Sequence, residues 1–311
     1  MNKKRAAAID FGSNSSRLLI AEFNNGEINV IYQRLITTRL AKSIDENQIL
    51  DLESINKTIE AVKSFNEKMK EYNVKKYRTA GTSALRDAKN SDEFVDSLKN
   101  KTGINLDIVS GAKEAELTYI GVTFDNKNNE SMIIDIGGGS TEFINLVNGV
   151  PKAVSLDIGA VRFTERFIDD PSLIISKSDQ EMIITETSNY LKNHFKSIKN
   201  SNLVGVGGTI TTLAAIDKGI THFDPRKIEG YILDKISVNN IINKLSNMKI
   251  NKRKKVDGLQ KDRADIIISG SLILEAIFEF FSVEDIKVSN KDLLYGLIIE
   301  IFENEQYYFY K

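Results

Sequence analysis

The sequence predicts an α/β fold in two domains, and three observations carry that prediction. The chain has 311 residues, roughly twice the ~150 of a typical domain. Residues 5–9, 12–16 and 17–23 read as strand, tight turn and strand, with no helix after the turn. The same design returns at residues 132–136, 137–140 and 141–147. Set side by side, DFGSNSSRLLIAE and DIGGGSTEFINLV share Asp, one residue, Gly, small polar residues and an apolar strand. The pattern points to an internal duplication in which each hairpin opens a domain.

Between the hairpins, helical periodicity at residues 51–72, 91–101 and 112–122 alternates with short strand candidates at 76–80 and 106–109. The polar run DNKNNE, residues 125–130, reads as the loop before the second domain, so the expected domains are 1–124 and 125–311. Beyond it, 178–198 reads as a helix, and 202–206 as a buried strand running into Gly207, Gly208 and Thr209. Helices at 210–216 and 264–281 follow. The aromatic tail, residues 305–311, leaves two readings: contact with a second copy in a homodimer, or cover for the chain's own core.

Composition excludes several classes. Hydrophobic residues at 41% and charged residues at 27% are ordinary globular usage, against long disorder or a fibrous repeat. Cysteine is absent, which excludes disulfides, thiolate nucleophiles, zinc ribbons and iron–sulfur clusters. The opening MNKKRAAAIDFG reaches Asp10 after too short an apolar run for a signal-peptide core. No run of ~18 apolar residues occurs to cross a membrane. A cytoplasmic protein is the expectation. Lys and Arg total 42 against 43 Asp and Glu, a formal charge of −1, so any positive field for a polyanion must be local.

Two turns, each headed by Asp and built of small residues, make a physical proposal. Main-chain N–H groups of Gly12, Ser13, Asn14 and Ser15, and of Gly137, Gly138, Gly139 and Ser140, would cradle phosphate oxygens. Mg²⁺ favours a few carboxylates plus water and phosphate oxygens, and Asp10, Asp135 and Glu142 are of the right type. A carboxylate capping its own turn is the other reading of Asp10. One glycine-rich hairpin turn is commonplace; two headed by Asp favour the phosphate reading. A third glycine loop sets Gly207, Gly208 and Thr209 at a helix N-terminus, which favours an anion, although helix packing also explains such glycines. There is no GxxxxGK[ST], and Gly205, Gly207 and Gly208 fail GxGxxG because residue 210 is Ile.

These segments, in order, resemble one known family: DFGSNSSRLLIAE, TSALRDAKN, IVSGAKEAELTYIGV, IDIGGGSTEF, LDIGAVRFTERF, GVGGTITTLAAI and RADIIISG. The family is that of exopolyphosphatases and guanosine pentaphosphate phosphatases, within the actin-like, sugar kinase and Hsp70 ATPase superfamily. The resemblance implies two ribonuclease H-like domains around an interdomain cleft and Mg²⁺-assisted hydrolysis of terminal phosphates. The implied partners are inorganic polyphosphate, guanosine polyphosphates or both, with neither nucleic acid nor membrane.

Residue by residue, the resemblance places the catalytic glutamate at Glu114 and a phosphate-binding arginine at Arg86, with metal and phosphate residues at Asp10, Asp135 and Glu142 and the two turns. From position alone Glu114 is equally a first-turn acid favoured by the helix dipole. Arg86 is alternatively a surface arginine paired with Asp87 or Asp92. Two departures stand out. The first of the family's paired glutamates is Lys113 here, and a segment resembling SxxGLREG reads SNKDLLYG, with Asp292 near the expected glycine and Leu294 at the expected arginine. The run KRKK, residues 252–255, reads as a solvated loop, with a track for a departing polyphosphate as the alternative. His194 and His222 form no metal dyad.

The expected function is release of terminal phosphate from polyphosphate or the 5′ end of pppGpp, with Glu114 as general base. Its rivals are an ATP-dependent kinase or ATPase of the same superfamily, and a non-enzymatic guanosine polyphosphate sensor.

Overall fold

A computed structural model describes residues 4–24, 27–42, 44, 48–125, 131–196, 202–221, 224–303 and 307–310. His222 and most of the polar run at 125–130 lie outside these described residues. The first segment runs β1 (Lys4–Phe11), β2 (Ser15–Asn24), β3 (Glu27–Thr37), α1 (Leu52–Glu71), β4 (Lys76–Gly81), α2 (Ser83–Asp87), α3 (Ser91–Thr102) and α4 (Gly111–Thr123). Next come β5 (Met132–Ile136), β6 (Thr141–Val147), β7 (Val150–Leu156), α5 (Ala160–Phe167), α6 (Lys177–His194), β8 (Leu203–Val206) and α7 (Gly207–Asp217). The chain continues through β9 (Ile232–Asp234), α8 (Lys235–Ser246), α9 (Ile250–Arg253), α10 (Ile267–Phe281), β10 (Asp285–Val288), α11 (Leu293–Glu303) and β11 (Tyr308–Phe309).

These elements form two units, one joining Met1–Lys127 to Lys291–Lys311 and the other Asn128–Asn290. The expected second domain, 125–311, is therefore corrected: its last 21 residues belong to the first unit. The cause is the apolar face of α11. Leu293, Leu294, Leu297, Ile298 and Ile301 share one core with Ala6, Ala8 and Leu117. The helix also lies against α4 at backbone distance. A Cβ on Gly296 would fall 2.0 Å from the Leu117 carbonyl oxygen, and one on Gly121 would fall 2.4 Å from that of Asp292. Only glycine fits such an approach.

The first unit's sheet has the order β11-β4-β1-β2-β3. β1, β2 and β3 pair antiparallel, and β4 runs parallel to β1. β1 is buried from Ala6 to Phe11, as a strand flanked on both sides requires. The strand candidate at 106–109 contributes only one parallel bridge, Ile108 to Gly81. The aromatic tail becomes an edge strand of this sheet. β11 pairs antiparallel with β4, and the Tyr308 hydroxyl donates to Asp107 Oδ1 at 2.5 Å. The tail thus covers part of its own unit.

The second unit's sheet has the order β7-β6-β5-β8-β10-β9. It repeats the first unit's arrangement: β5, β6 and β7 pair antiparallel, and β8 runs parallel to β5. Asn148 (φ 52°) and Gly149 (φ 76°) turn β6 into β7, the Asn-Gly chemistry of a tight hairpin. α10 is buried on nearly every face and forms the middle of this unit's core, as a helix apolar all round must. The architecture is mixed α/β with two sheets, as the sequence predicts.

Candidate active site

In the first unit, β1 and β4 are parallel neighbours, so the segments leaving their carboxyl ends lie side by side. The carboxyl ends of parallel strands are where α/β sheets bind ligands. The turn after β1 is closed by the Gly12 N–H donating to the Ser15 carbonyl at 3.0 Å. Its outward carbonyls are taken by the next loop: Asn14 O accepts from Thr38 and Arg39 N–H at 3.1 and 3.0 Å, and Ser13 O accepts from Ala41 N–H at 2.9 Å. The N–H groups of Ser13 and Asn14 have no main-chain acceptor among the described residues. Ser13 Oγ lies 2.8 Å from Ser83 Oγ, tying this turn to the start of α2. The Asn14 side-chain amide is buried with neither its oxygen nor its nitrogen hydrogen-bonded.

Arg86 lies in the last turn of the short α2 after β4, and Glu114 sits in the first turn of α4, whose N-cap Ser110 accepts from the Lys113 N–H. Gly81 N–H donates to Asp107 O at 2.7 Å and Val109 N–H to Gly81 O at 3.0 Å, which locks the approach to α4 beside β4. Arg86 Nη1 consequently donates to Glu114 Oε2 at 2.6 Å and to Val109 O at 3.1 Å. The two residues expected to be catalytic are thus joined by a charge-assisted bond.

Asp10 faces Arg17 across the β1–β2 register. Arg17 Nε and Nη2 reach Asp10 Oδ2 at 2.8 and 2.7 Å, and Nη1 donates to Asp292 at the start of α11. Asp10 Oδ1 is buried with no partner. Burial pushes the Asp10 carboxyl up, opposed by the Arg17 guanidinium. Asp10 therefore has one oxygen committed to an arginine, which leaves a single orphaned oxygen to meet a cation or an ordered water. The sequence reading missed Arg17, yet its signal was present: Arg17 stands from Asp10 as Glu142 stands from Asp135, the spacing that sets residues opposite one another in these hairpins.

The second unit repeats the turn with the same closing bond, Gly137 N–H to Ser140 O at 3.0 Å. Here the carbonyls are capped by the start of α5: Gly137 O accepts from Ala160 N–H at 3.0 Å, and Gly138 O from Val161 and Arg162 N–H at 2.8 and 3.1 Å. Arg162 Nε adds a bond to Gly139 O at 2.7 Å. Asp135 and Glu142 lie opposite each other across β5 and β6, and Ser155 Oγ donates to Glu142 Oε1 at 2.7 Å. Two carboxylates facing one another across a strand pair are hard oxygen donors of the kind Mg²⁺ takes. This pair therefore fits Mg²⁺ by donor type. Among the described residues, no group of three or more His, Asp or Glu side chains is arranged to hold a metal ion.

β8 runs parallel to β5 and passes directly into α7, so Gly207 arrives beside Asp135. Gly207 has φ 85°, and a Cβ there would fall 2.3 Å from Asp135 Oδ1, a place no other residue can occupy without displacing the carboxylate. Gly208 lies equally close under the Arg263 guanidinium. Thr209 is different. It is buried, with its side chain against Gly270 of α10. Arg162 and Arg263 are further cations beside the glycine loops that sequence reasoning did not single out. Their signal was the motif segments LDIGAVRF and RADIIISG, quoted for resemblance alone.

The fold and these turns define a class: a two-sheet α/β protein with paired Asp-headed turns of small residues. Residues 19–305 match the model of the Ppx/GppA phosphatase family, and the chain belongs to that family. It is 34% identical to a bifunctional 3-dehydroquinate synthase/phosphatase of Fusobacterium nucleatum, covering 96% of this chain and 47% of that protein. It is 30% identical to a putative exopolyphosphatase of Haemophilus influenzae, covering 98% and 94% of the two chains. The crystal structure of the Aquifex aeolicus Ppx/GppA family member superposes with a TM-score of 0.80 at 28% identity, over 98% of this chain and 99% of that one. No helix among the described residues is long and apolar enough to cross a membrane.

Proposed function

We propose that the chain hydrolyses the terminal phosphoric anhydride of inorganic polyphosphate or of a guanosine polyphosphate, with Glu114 as general base. The observation that carries the reading is the bond of 2.6 Å between Arg86 and Glu114 at the carboxyl-end side of β4. It fixes the carboxylate's orientation and sets a permanent positive charge beside it. Glu114 takes a proton from water as the water oxygen bonds to the terminal phosphorus, and the bond from that phosphorus to the bridging oxygen breaks. The shortened phosphate chain leaves with the electron pair. Phosphoryl transfer depends chiefly on positioning and charge neutralisation, which Arg86 and the turn N–H groups of Ser13 and Asn14 would supply.

Asp135 and Glu142 are the residues that would hold Mg²⁺ in the second unit, and in the first unit Asp10 Oδ1 is the oxygen that would meet a cation. When bound, the cation offsets charge on the phosphoryl oxygens. Names among the relatives support a phosphohydrolase but divide over its substrate: Exopolyphosphatase 2 of Mycobacterium tuberculosis is 28% identical, and a guanosine-5′-triphosphate,3′-diphosphate pyrophosphatase of Pseudoalteromonas atlantica is 30% identical. Incubation with polyphosphate, pppGpp and ATP, following free phosphate without any acceptor, tests the reading. Release from one of the first two supports it. Release from none of the three, or turnover of ATP only when an acceptor is added, refutes it.

A further inference from the structure

The first unit contains a three-membered ion chain, Asp10–Arg17–Asp292, in which all three side chains are largely buried. Arg17 spends Nε and Nη2 on Asp10 and its remaining arm, Nη1, on Asp292. One guanidinium thus meets two carboxylates beside the turn of Ser13 and Asn14. Asp292 has a second bond of its own: Oδ1 accepts from the Leu294 N–H at 3.1 Å, capping α11. Its backbone is pinned by the close approach of α11 to α4, the helix that carries Glu114. Both contacts fix where its carboxylate stands.

We propose that Asp292 is a positioning residue that restrains substrate affinity. It holds the Nη1 arm of Arg17, which would otherwise be free to donate to an anionic oxygen arriving at the turn. Arg17 remains anchored on Asp10 through its other two nitrogens, so removing the Asp292 charge leaves the guanidinium in place with one arm available. The ligand class is a linear oligophosphate, which brings more than one anionic phosphoryl group to the site. This inference rests on the phosphohydrolase reading above and adds to it a determinant of affinity.

Asp292→Asn and Asp292→Ser both keep an N-cap oxygen on α11 and remove the charge. Calorimetric titration with inorganic tripolyphosphate, in a Glu114→Gln background that halts turnover, should show binding about five- to tenfold tighter in either variant. Steady-state assays with Glu114 restored should show KM lowered by a similar factor at nearly unchanged kcat. The gain should vanish in an Arg17→Gln background, with thermal melts confirming that each variant is folded. Unchanged or weaker binding, a fall in kcat without a change in KM, or a gain that persists without Arg17 overturns the proposal. A wild-type chain that releases no phosphate refutes the phosphohydrolase reading by itself, while the calorimetric comparison still decides the role of Asp292.

Discussion

Lys113 Nζ lies 2.6 Å from Glu300 Oε1 on α11, and this pairing accounts for a lysine where the family resemblance leads one to expect a glutamate. Glu300 is only 1% exposed and also receives Arg78 Nη2 at 3.2 Å. A buried carboxylate between two cations tolerates loss of neither easily. Lys113→Glu should therefore destabilise the protein by about 1–3 kcal/mol, and Lys113→Glu with Glu300→Gln should recover much of that loss. Urea unfolding of the single and double variants measures both.

Arg253 makes a second structural demand. It belongs to the KRKK run, whose other members Lys252, Lys254 and Lys255 are exposed, yet Arg253 itself is fully buried. Its guanidinium donates to the carbonyls of Leu245, Met248, Pro171 and Ala264 at 2.8–3.1 Å, and also to Leu173. Arg253→Met leaves several of these oxygens unsatisfied and should cost about 3–5 kcal/mol. Lys254→Met, on the exposed side, should change stability by less than ~0.5 kcal/mol. Comparing their denaturation midpoints separates the buried anchor from a solvated charge.

Asp135 and Glu142 stand opposite each other across β5 and β6 and are proposed above to hold Mg²⁺. On that proposal Mg²⁺ should raise the melting temperature of the unaltered chain, and Glu142→Gln should abolish that rise. Thermal melts with and without chelator test this, and a Mg²⁺-dependent rise that survives Glu142→Gln contradicts the assignment.

The tyrosines give a pH prediction with a definite sign. Burial pushes the Tyr308 hydroxyl up to about 12, aided by its bond to Asp107, and the bond to Asp217 does the same for Tyr231, also to about 12. A raised folded-state value means that the contribution of the neutral form is fully present below the ordinary value of 10.0 and is lost as pH rises toward 12. Spectrophotometric titration should therefore show a late-ionising class of tyrosines, and Tyr308→Phe and Tyr231→Phe should each remove one member.

Much of this was legible locally. The Asp-headed hairpins appear where DFGSNSS and DIGGGST place them, because strand alternation and turn chemistry are short-range properties. The helix at 51–72 was visible in its period and is capped by Asp51, whose side chain accepts from the Ser54 N–H. What the sequence could not disclose is long-range. The assignment of α11 and β11 to the first unit depends on Gly296 meeting Leu117 and on Tyr308 pairing with Tyr77. The buried state of Arg253 depends on carbonyls from three separate stretches converging. β3 was missed because an edge strand exposed along much of its length lacks a clean alternation. In the site, Glu114 and Arg86 were named from motif residues, but their mutual bond, like that of Arg17 with Asp10 and Asp292, required the fold.

Phosphate release from polyphosphate and pppGpp by the unaltered chain and by Glu114→Gln tests the central claim most directly. The account predicts turnover by the unaltered chain, a loss of about 10²–10⁴-fold in kcat in the variant, and a retained fold and substrate affinity. Undiminished phosphate release from folded Glu114→Gln would contradict it.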